Sequence, residues 1–201
     1  MKHVLVSYHP YDKSFNTAIV RRIKETIGAH EDHTVDHIDL AQNDFNPVMG
    51  SKELYEFAQA RTDRGVFLEN LDPQAVEYAQ QINRSDHLIL IFPIWWELMP
   101  AQIKGFIDKV IFPGLFYTYK SEFSMRVISD HLKKVTVITT MNTPKFLYSL
   151  KYRNSVKHAL VNGTFKKLGI KKVRWTNLGF IKNVSNKKRG KMIDGITSKI
   201  C

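Results

Sequence analysis

Strand-type and helix-type segments alternate five times along this chain, which predicts an α/β protein built on a parallel sheet with helices on both faces. Three observations lead there. Apolar runs of strand length, at residues 88–92 and 135–138, are continuous rather than alternating, as in strands buried on both faces. Segments between the runs place apolar residues at helical spacing, as in Ile19, Ile23 and Ile27 or Ile103, Phe106, Ile107 and Val110. The connections are also long enough to hold the crossover helix that parallel pairing needs.

Taken in order, residues 4–8 read as the first strand, followed by a polar loop and a helix that opens at Phe15 and stops at Gly28. Residues 33–40 place Val35, His37 or Asp36, and Ile38 among polar neighbours as a second strand, before a loop with Asn and Pro signals at 41–49. Helices are expected at about 51–60 and 73–84, where Pro73 suits a first turn, and the stretch between them is poorly patterned. The third strand ends at Pro93, and the chain resumes after Pro100 as a helix. Residues 112–117 are rich in aromatics, and no clear pattern follows until 130. Residues 135–140 form a fourth strand ending in hydroxyls. After the loop 141–144, a long helical pattern runs to about Leu168 with an interruption near Asn162 and Gly163. Residues 173–180 read as the fifth strand and 185–200 as a closing helix with Ser185 as its cap. No repeat, low-complexity linker or domain boundary appears, so one domain over 1–201 is expected.

Composition narrows the function classes. The chain has 201 residues, 43% hydrophobic and 24% charged, which is ordinary for a soluble globular protein. No apolar run approaches the roughly 18 residues of a membrane span, and the charged start leads into a run too short for a signal-peptide core; a cytoplasmic location is expected. The single cysteine, Cys201, is the last residue, so no internal disulfide or CxxC pair exists. The eight histidines lack metal-ligand spacing, no metal is expected, and His33 and His37, bracketing the second strand, are expected at the surface. The formal charge is +11, and residues 151–201 hold 14 lysines and arginines against one acid, Asp194. A solvated face is the plainer reading of that region, and docking on a membrane-associated or acidic partner is the sharper one. Nucleic-acid binding is disfavoured, because the interleaved aromatics Trp175 and Phe180 fall in a predicted sheet strand.

Chemistry concentrates in three loops after strands 1, 3 and 4. Two adjacent tryptophans, Trp95 and Trp96, sit between Pro93 and Pro100 directly after a buried strand. Exposing them is costly, and loops at that end of an α/β sheet hold ligands, so they read as a platform for a planar ring. In the first loop, Lys13, Ser14 and Asn16 at a helix start form a plausible anion site, with an ordinary N-cap as the plainer reading. Neither GxGxxG nor GxxxxGK[ST] is present.

Pro93-x-Trp95-Trp96 followed by Pro100-Ala101-x-x-Lys104-Gly105-Phe106-x-Asp108 closely resembles the flavin-binding loop of the NAD(P)H:quinone reductase family. That family has a flavodoxin-like fold and includes modulator-of-drug-activity type reductases and ancillary oxidoreductases of potassium-efflux systems. His9-Pro10-x-x-x-Ser14-Phe15-Asn16 resembles its flavin-phosphate loop, and Phe45-Asn46-Pro47-Val48-Met49 is similar to a segment after its second strand. The third loop departs: Thr139-Thr140-Met141-Asn142 stands where better-known members have Thr-Thr-Gly-Gly, Tyr148 matches a family tyrosine, and Asn154 stands near the family histidine.

The resemblance implies a doubly wound sheet of order 2-1-3-4-5 and a bound flavin, FMN with FAD as the alternative. It implies NAD(P)H as donor and ping-pong two-electron reduction of quinones or similar acceptors. On it, Ser14, Phe15 and Asn16 hold the phosphate, with His9 near the phosphate or ribityl chain. Pro93, Ile94, Trp95 and Trp96 shape the slot, Trp96 is its aromatic wall, and the N–H groups of residues 94–96 face the polar ring edge. Thr139, Thr140, Met141 and Asn142 form the other side, with Tyr148 as a second wall and the catalytic candidate. A homodimer is implied, with aromatics between Phe112 and Phe123 as contact candidates. The alternative is an ancillary regulatory subunit of a potassium-efflux or other membrane system.

Overall fold

The computed structural model describes residues 1–122 and 124–200; Phe123 of the aromatic stretch and Cys201 lie outside the described residues. Five strands form one parallel sheet: β1 (Lys2–Ser7), β2 (Thr34–Asp39), β3 (His87–Pro93), β6 (Lys134–Thr140) and β7 (Lys172–Leu178), in the order β2-β1-β3-β6-β7. Numbered among themselves, these are strands 2-1-3-4-5, as expected. The order reverses at β1 and β3, which puts a crevice at their carboxyl ends.

Among the described residues six α-helices accompany the strands: α1 (Phe15–Gly28), α2 (Ser51–Gln59), α3 (Pro73–Asn83), α4 (Ala101–Val110), α5 (Lys145–Tyr152) and α6 (Asn186–Thr197). Ser14 caps α1 by accepting the Thr17 N–H, Asp72 caps α3 ahead of Pro73, and Ser185 caps α6. Every residue of β3 is buried, which explains its unbroken apolar sequence. Alternate strand residues join two separate clusters. Leu5, Ile89, Ile91 and Ile138 pack with Ile19 and Ile23 of α1 and Ile196 of α6, whereas Val4, Leu88, Leu90 and Val137 pack with α3 and α4. Each fully buried Leu or Ile contributes about 2 kcal/mol as an upper bound.

Two segments differ from expectation. The unpatterned stretch before residue 130 contains a separate antiparallel hairpin of β4 (Tyr117–Ser121) and β5 (Ser124–Val127). Its strands are short and largely half-exposed, so they carry little apolar signal. The long helix expected after 144 breaks at Arg153 and Asn154, both left-handed, rather than near Gly163. Asn162 and Gly163 lie inside a π-helical segment, Lys157–Lys166. Gly105 explains the Lys-Gly pair of the central motif, since a Cβ there would meet the Pro47 carbonyl oxygen at 2.2 Å. The helix after the tryptophan loop thus packs directly against the Phe-Asn-Pro segment.

Beneath the sheet's amino end the first and third strands pair His3 with His87 directly. Both imidazoles are fully buried, with Nδ1 atoms 3.0 Å apart; His87 Nε2 meets Thr136 Oγ1 at 2.8 Å, and His3 Nε2 lies 3.4 Å from His33 Nδ1. Burial, then the charges of His33 and Lys134, brings the His3 pKa down to about 4; burial, then Lys134, takes His87 down to about 2. His37, expected at the surface, lies within β2, half-buried against Ser7 Oγ at 2.9 Å. Among the described residues no group of three or more His, Cys, Asp or Glu could hold a metal, and no helix is long and apolar enough to cross a membrane.

Candidate functional site

At the sheet's carboxyl end, the chain leaves β3 through Ile94 into a tight hairpin turn. Trp95 N–H donates to the Leu98 carbonyl at 3.0 Å and Leu98 N–H returns to the Trp95 carbonyl at 3.1 Å. The two central residues, Trp96 (φ 48°) and Glu97 (φ 63°), are both left-handed, the pattern of a type I′ turn that ordinarily takes Asn-Gly. Each such non-glycine residue costs about 1 kcal/mol. The offset comes from outside the turn: the Glu97 carbonyl accepts Tyr148 Oη at 3.0 Å and Ser155 Oγ at 2.6 Å, each bond worth about 1 kcal/mol. As a result Trp96 stands 98% exposed, with no packing of its own to hold it there. Its neighbour Trp95 turns the other way, meeting Tyr8 and His9 edge-on at 6.0 and 6.2 Å between ring centroids.

Of the three backbone N–H groups expected to face a ligand, two are already used. Ile94 N–H donates to the Thr140 carbonyl at 2.7 Å, and Trp95 N–H closes the turn. Among the described residues, the donors of this turn without a partner are the N–H groups of Trp96 and Glu97, one residue further on than the expectation. Pro93 is buried as the last residue of β3.

In the first loop, Ser14 Oγ serves as the cap of α1 and also meets Thr17 Oγ1 at 3.0 Å. The N–H groups of Phe15 and Asn16, in the first helical turn, have no helical acceptor. The side chain of Asn16 is not available to an anion, because it is buried and exchanges hydrogen bonds with Thr140 Oγ1 at 2.9 and 3.3 Å. It ties the first loop to the end of β6. His9 Nδ1 accepts the Tyr11 N–H at 3.1 Å, and burial lowers its pKa, so a neutral ring lies beside Trp95.

The β6 loop completes the arrangement. Thr139 is buried and bonded to Asn177 and Trp175 of β7, so its side chain faces inward. Met141 N–H donates to the Leu178 carbonyl, and Asn142 Oδ1 accepts the Lys182 N–H at 3.3 Å. Ile94, Trp95, Trp96, Glu97, Met141, Asn142 and Thr143 together line a cavity of about 350 Å³. Tyr148 is not among them. Its ring is fully buried and its hydroxyl also accepts the Val156 N–H at 3.1 Å, so it holds the tryptophan turn from behind rather than forming a wall. Asn154 donates to Ser149 Oγ and does not enter the cavity lining.

Two residues of the site escape sequence reasoning. Ser155 is one; its bond to Glu97 spans 58 positions. Glu97 is the other: Oε1 accepts Thr143 Oγ1 at 3.2 Å, whereas Oε2 is buried with no hydrogen-bond partner. Its place directly after the tryptophan pair was the available signal.

A family model described as the flavodoxin-like fold matches residues 1–195. The chain belongs to that family. An uncharacterized NAD(P)H oxidoreductase of Haemophilus influenzae is 28% identical over 195 residues, 96% of this chain and 91% of the relative. The crystal structure of Smu.1420 from Streptococcus mutans shares 30% identity and superposes with a TM-score of 0.80, covering 98% of this chain and 97% of the other. An FMN-dependent NADH:quinone oxidoreductase of Macrococcus caseolyticus is 25% identical over 145 residues, 68% of this chain and 67% of the relative. Two further curated relatives are longer, and the chain spans 50% and 56% of them. The family read from the tryptophan motif is therefore borne out.

Proposed function

We propose that this chain is a flavin-dependent NAD(P)H oxidoreductase that reduces quinones or similar acceptors, with FMN as its flavin. The observation that carries the reading is Trp96, held almost wholly exposed by a strained turn on the rim of a cavity at the sheet's switch point. An aromatic face presented this way suits a planar ring.

The residues present fit a flavin. The open first turn of α1 offers Phe15 and Asn16 N–H groups for a phosphate, Trp96 and Glu97 N–H groups are unpaired donors for a ring edge, and one buried carboxylate oxygen lacks a donor. When bound, the flavin supplies the two-electron hydride chemistry. The chain's part is to hold the ring edge with preformed donors, set Trp96 as a wall of the slot, and admit nicotinamide and acceptor to the flavin there in turn, a ping-pong order. The names of the Haemophilus and Macrococcus relatives support donor, flavin and acceptor class.

The same reading takes residues 1–201 as one doubly wound domain, α1 and α6 covering one sheet face and α3 and α4 the other, as the two clusters support. It places the protein in the cytoplasm, where NAD(P)H is supplied. It also includes a homodimer. An apolar hollow of about 450 Å³ lined by Met49, Leu54, Phe57, Ile107, Tyr117 and Met125, among others, with Val48 and Tyr55 exposed as well, supports self-association there. A docking role stands second, favoured by residues 131–193, which contain sixteen lysines and arginines and no acid.

Anaerobic titration of the FMN-loaded protein with NADPH or NADH is expected to bleach its visible absorption, and a quinone is expected to restore it. A protein that takes up neither FMN nor FAD and oxidises no nicotinamide would overturn the reading.

A further inference from the structure

We propose that Glu97 is a flavin-contacting residue whose unpaired carboxylate oxygen accepts the ring N–H of the bound isoalloxazine and opposes its reduction. This inference rests on the flavin reading above and goes beyond it, because nothing in the resemblance assigns a role to this position.

The geometry points to Glu97 by elimination among the side chains lining the cavity. An oxidised isoalloxazine presents several acceptors but one N–H donor, the imide N3–H, which needs an acceptor when water is excluded. Ile94, Trp95 and Trp96 carry no side-chain acceptor, and Met141 has a weak one, already taken by Asn177 Nδ2 at 3.3 Å. Asn142 Oδ1 is engaged by the Lys182 N–H, and Thr143 Oγ1, which donates its proton to Glu97 Oε1, offers only neutral lone pairs, weaker acceptors than a carboxylate. Glu97 Oε2 is left over. Three buried side-chain oxygens in the described residues lack any partner, those of Asn83, Glu97 and Gln102, and Glu97 is the one that lines this cavity and the one belonging to an ionisable group. Among the described residues no lysine, arginine or histidine forms a salt bridge with it. Burying a carboxylate oxygen without a donor is costly, and a ligand N–H removes that cost. Glu97 lines the cavity while Oε2 itself is shielded, so the carboxylate must turn from its Thr143 bond when the ring binds.

The backbone assists. Glu97 is left-handed, its carbonyl fixed by Tyr148 and Ser155 and its Oε1 by Thr143, so three contacts from the segment after β6 set where the carboxylate sits. A negative charge beside a ring that gains negative charge on reduction makes the reduced state less favourable. The consequence is a bound flavin with a more negative potential and a stronger tendency to pass electrons to an acceptor.

The test is a double-mutant cycle in which one partner is the ligand. FMN and 3-methyl-FMN, which lacks the N3–H, are titrated into wild-type, Glu97→Gln and Glu97→Ala apoprotein, and binding is read by quenching of flavin fluorescence. The wild type is expected to prefer FMN by about tenfold or more, the increment of a hydrogen bond to a charged acceptor, and Glu97→Ala to lose most of that preference. The FMN potential in Glu97→Gln, which keeps the side-chain shape, is expected to shift to a more positive value. If all three proteins bind FMN and discriminate against 3-methyl-FMN equally, or the Gln variant leaves the potential unchanged, the proposal is overturned and the flavin reading stands. If the wild type binds neither flavin, both fall.

Discussion

The two ends of the same parallel sheet handle buried polar groups in opposite ways. Under the amino end, His3, His87 and Thr136 satisfy one another at 2.8–3.0 Å and keep water out. Above the carboxyl end, a turn places two residues in left-handed backbone, leaves Trp96 in solvent, and strands one carboxylate oxygen without a donor. A closed, satisfied cluster contributes to folding alone. An unsatisfied one is maintained at a cost, which the flavin of the proposed function would offset.

Breaking the closed end gives the largest change in stability. His87→Ala leaves a cavity and strips partners from His3 and Thr136, so a loss of about 3 kcal/mol is expected by urea unfolding, with FMN affinity unchanged. A ligand defect of the same size would mean that the two ends are coupled. The closed end also sets an acid limit. His3 titrates near 6.5 when unfolded but at about 4 in the fold, so between those values the unfolded state binds more protons. The His3 contribution is therefore constant above pH 6.5 and falls by about 3 kcal/mol as pH drops to 4, and His87, lowered further, adds to the loss over the same range. His3→Gln is expected to reduce that slope and leave the His87 part of it, as read by chemical unfolding at pH 7 and pH 5.

Loosening the open end produces smaller effects on folding and larger ones on the ligand. Ser155→Ala removes one of two bonds holding the Glu97 carbonyl, so about 1 kcal/mol of stability and a severalfold loss of FMN affinity are expected together. Smallest is Arg153→Gly, which relieves a left-handed residue at the end of α5 away from the cavity lining. A gain of up to about 1 kcal/mol with unchanged flavin binding is expected.

The fold was legible because strands buried on both faces leave continuous apolar runs and their crossovers leave helical spacing, and Leu88 to Phe92 bears both marks next to Ile103 and Phe106. The hairpin of β4 and β5 was not, because strands of five and four residues place only Tyr117 and Tyr119, and Met125 and Val127, on the core side, too short an alternation to stand out. The candidate site was legible as three loops. Its internal bonding was not: that Ile94 and Trp95 spend their N–H groups on Thr140 and Leu98, or that Tyr148 and Ser155 reach back to Glu97, follows from how β3, β6 and α5 sit together. The histidines show the same limit. Scanned for metal-ligand spacing along the chain, His3 and His87 stand 84 residues apart, and it is the β1–β3 register that makes them neighbours.

The central claim is that the strained turn exists to present Trp96 to a flavin, and the most direct measurement compares FMN affinity and thermal stability in wild type and Trp96→Ala. Because the side chain is 98% exposed, the account predicts an unchanged or slightly raised melting temperature with FMN binding weakened about tenfold or more. Equal FMN affinity in the two proteins would contradict it.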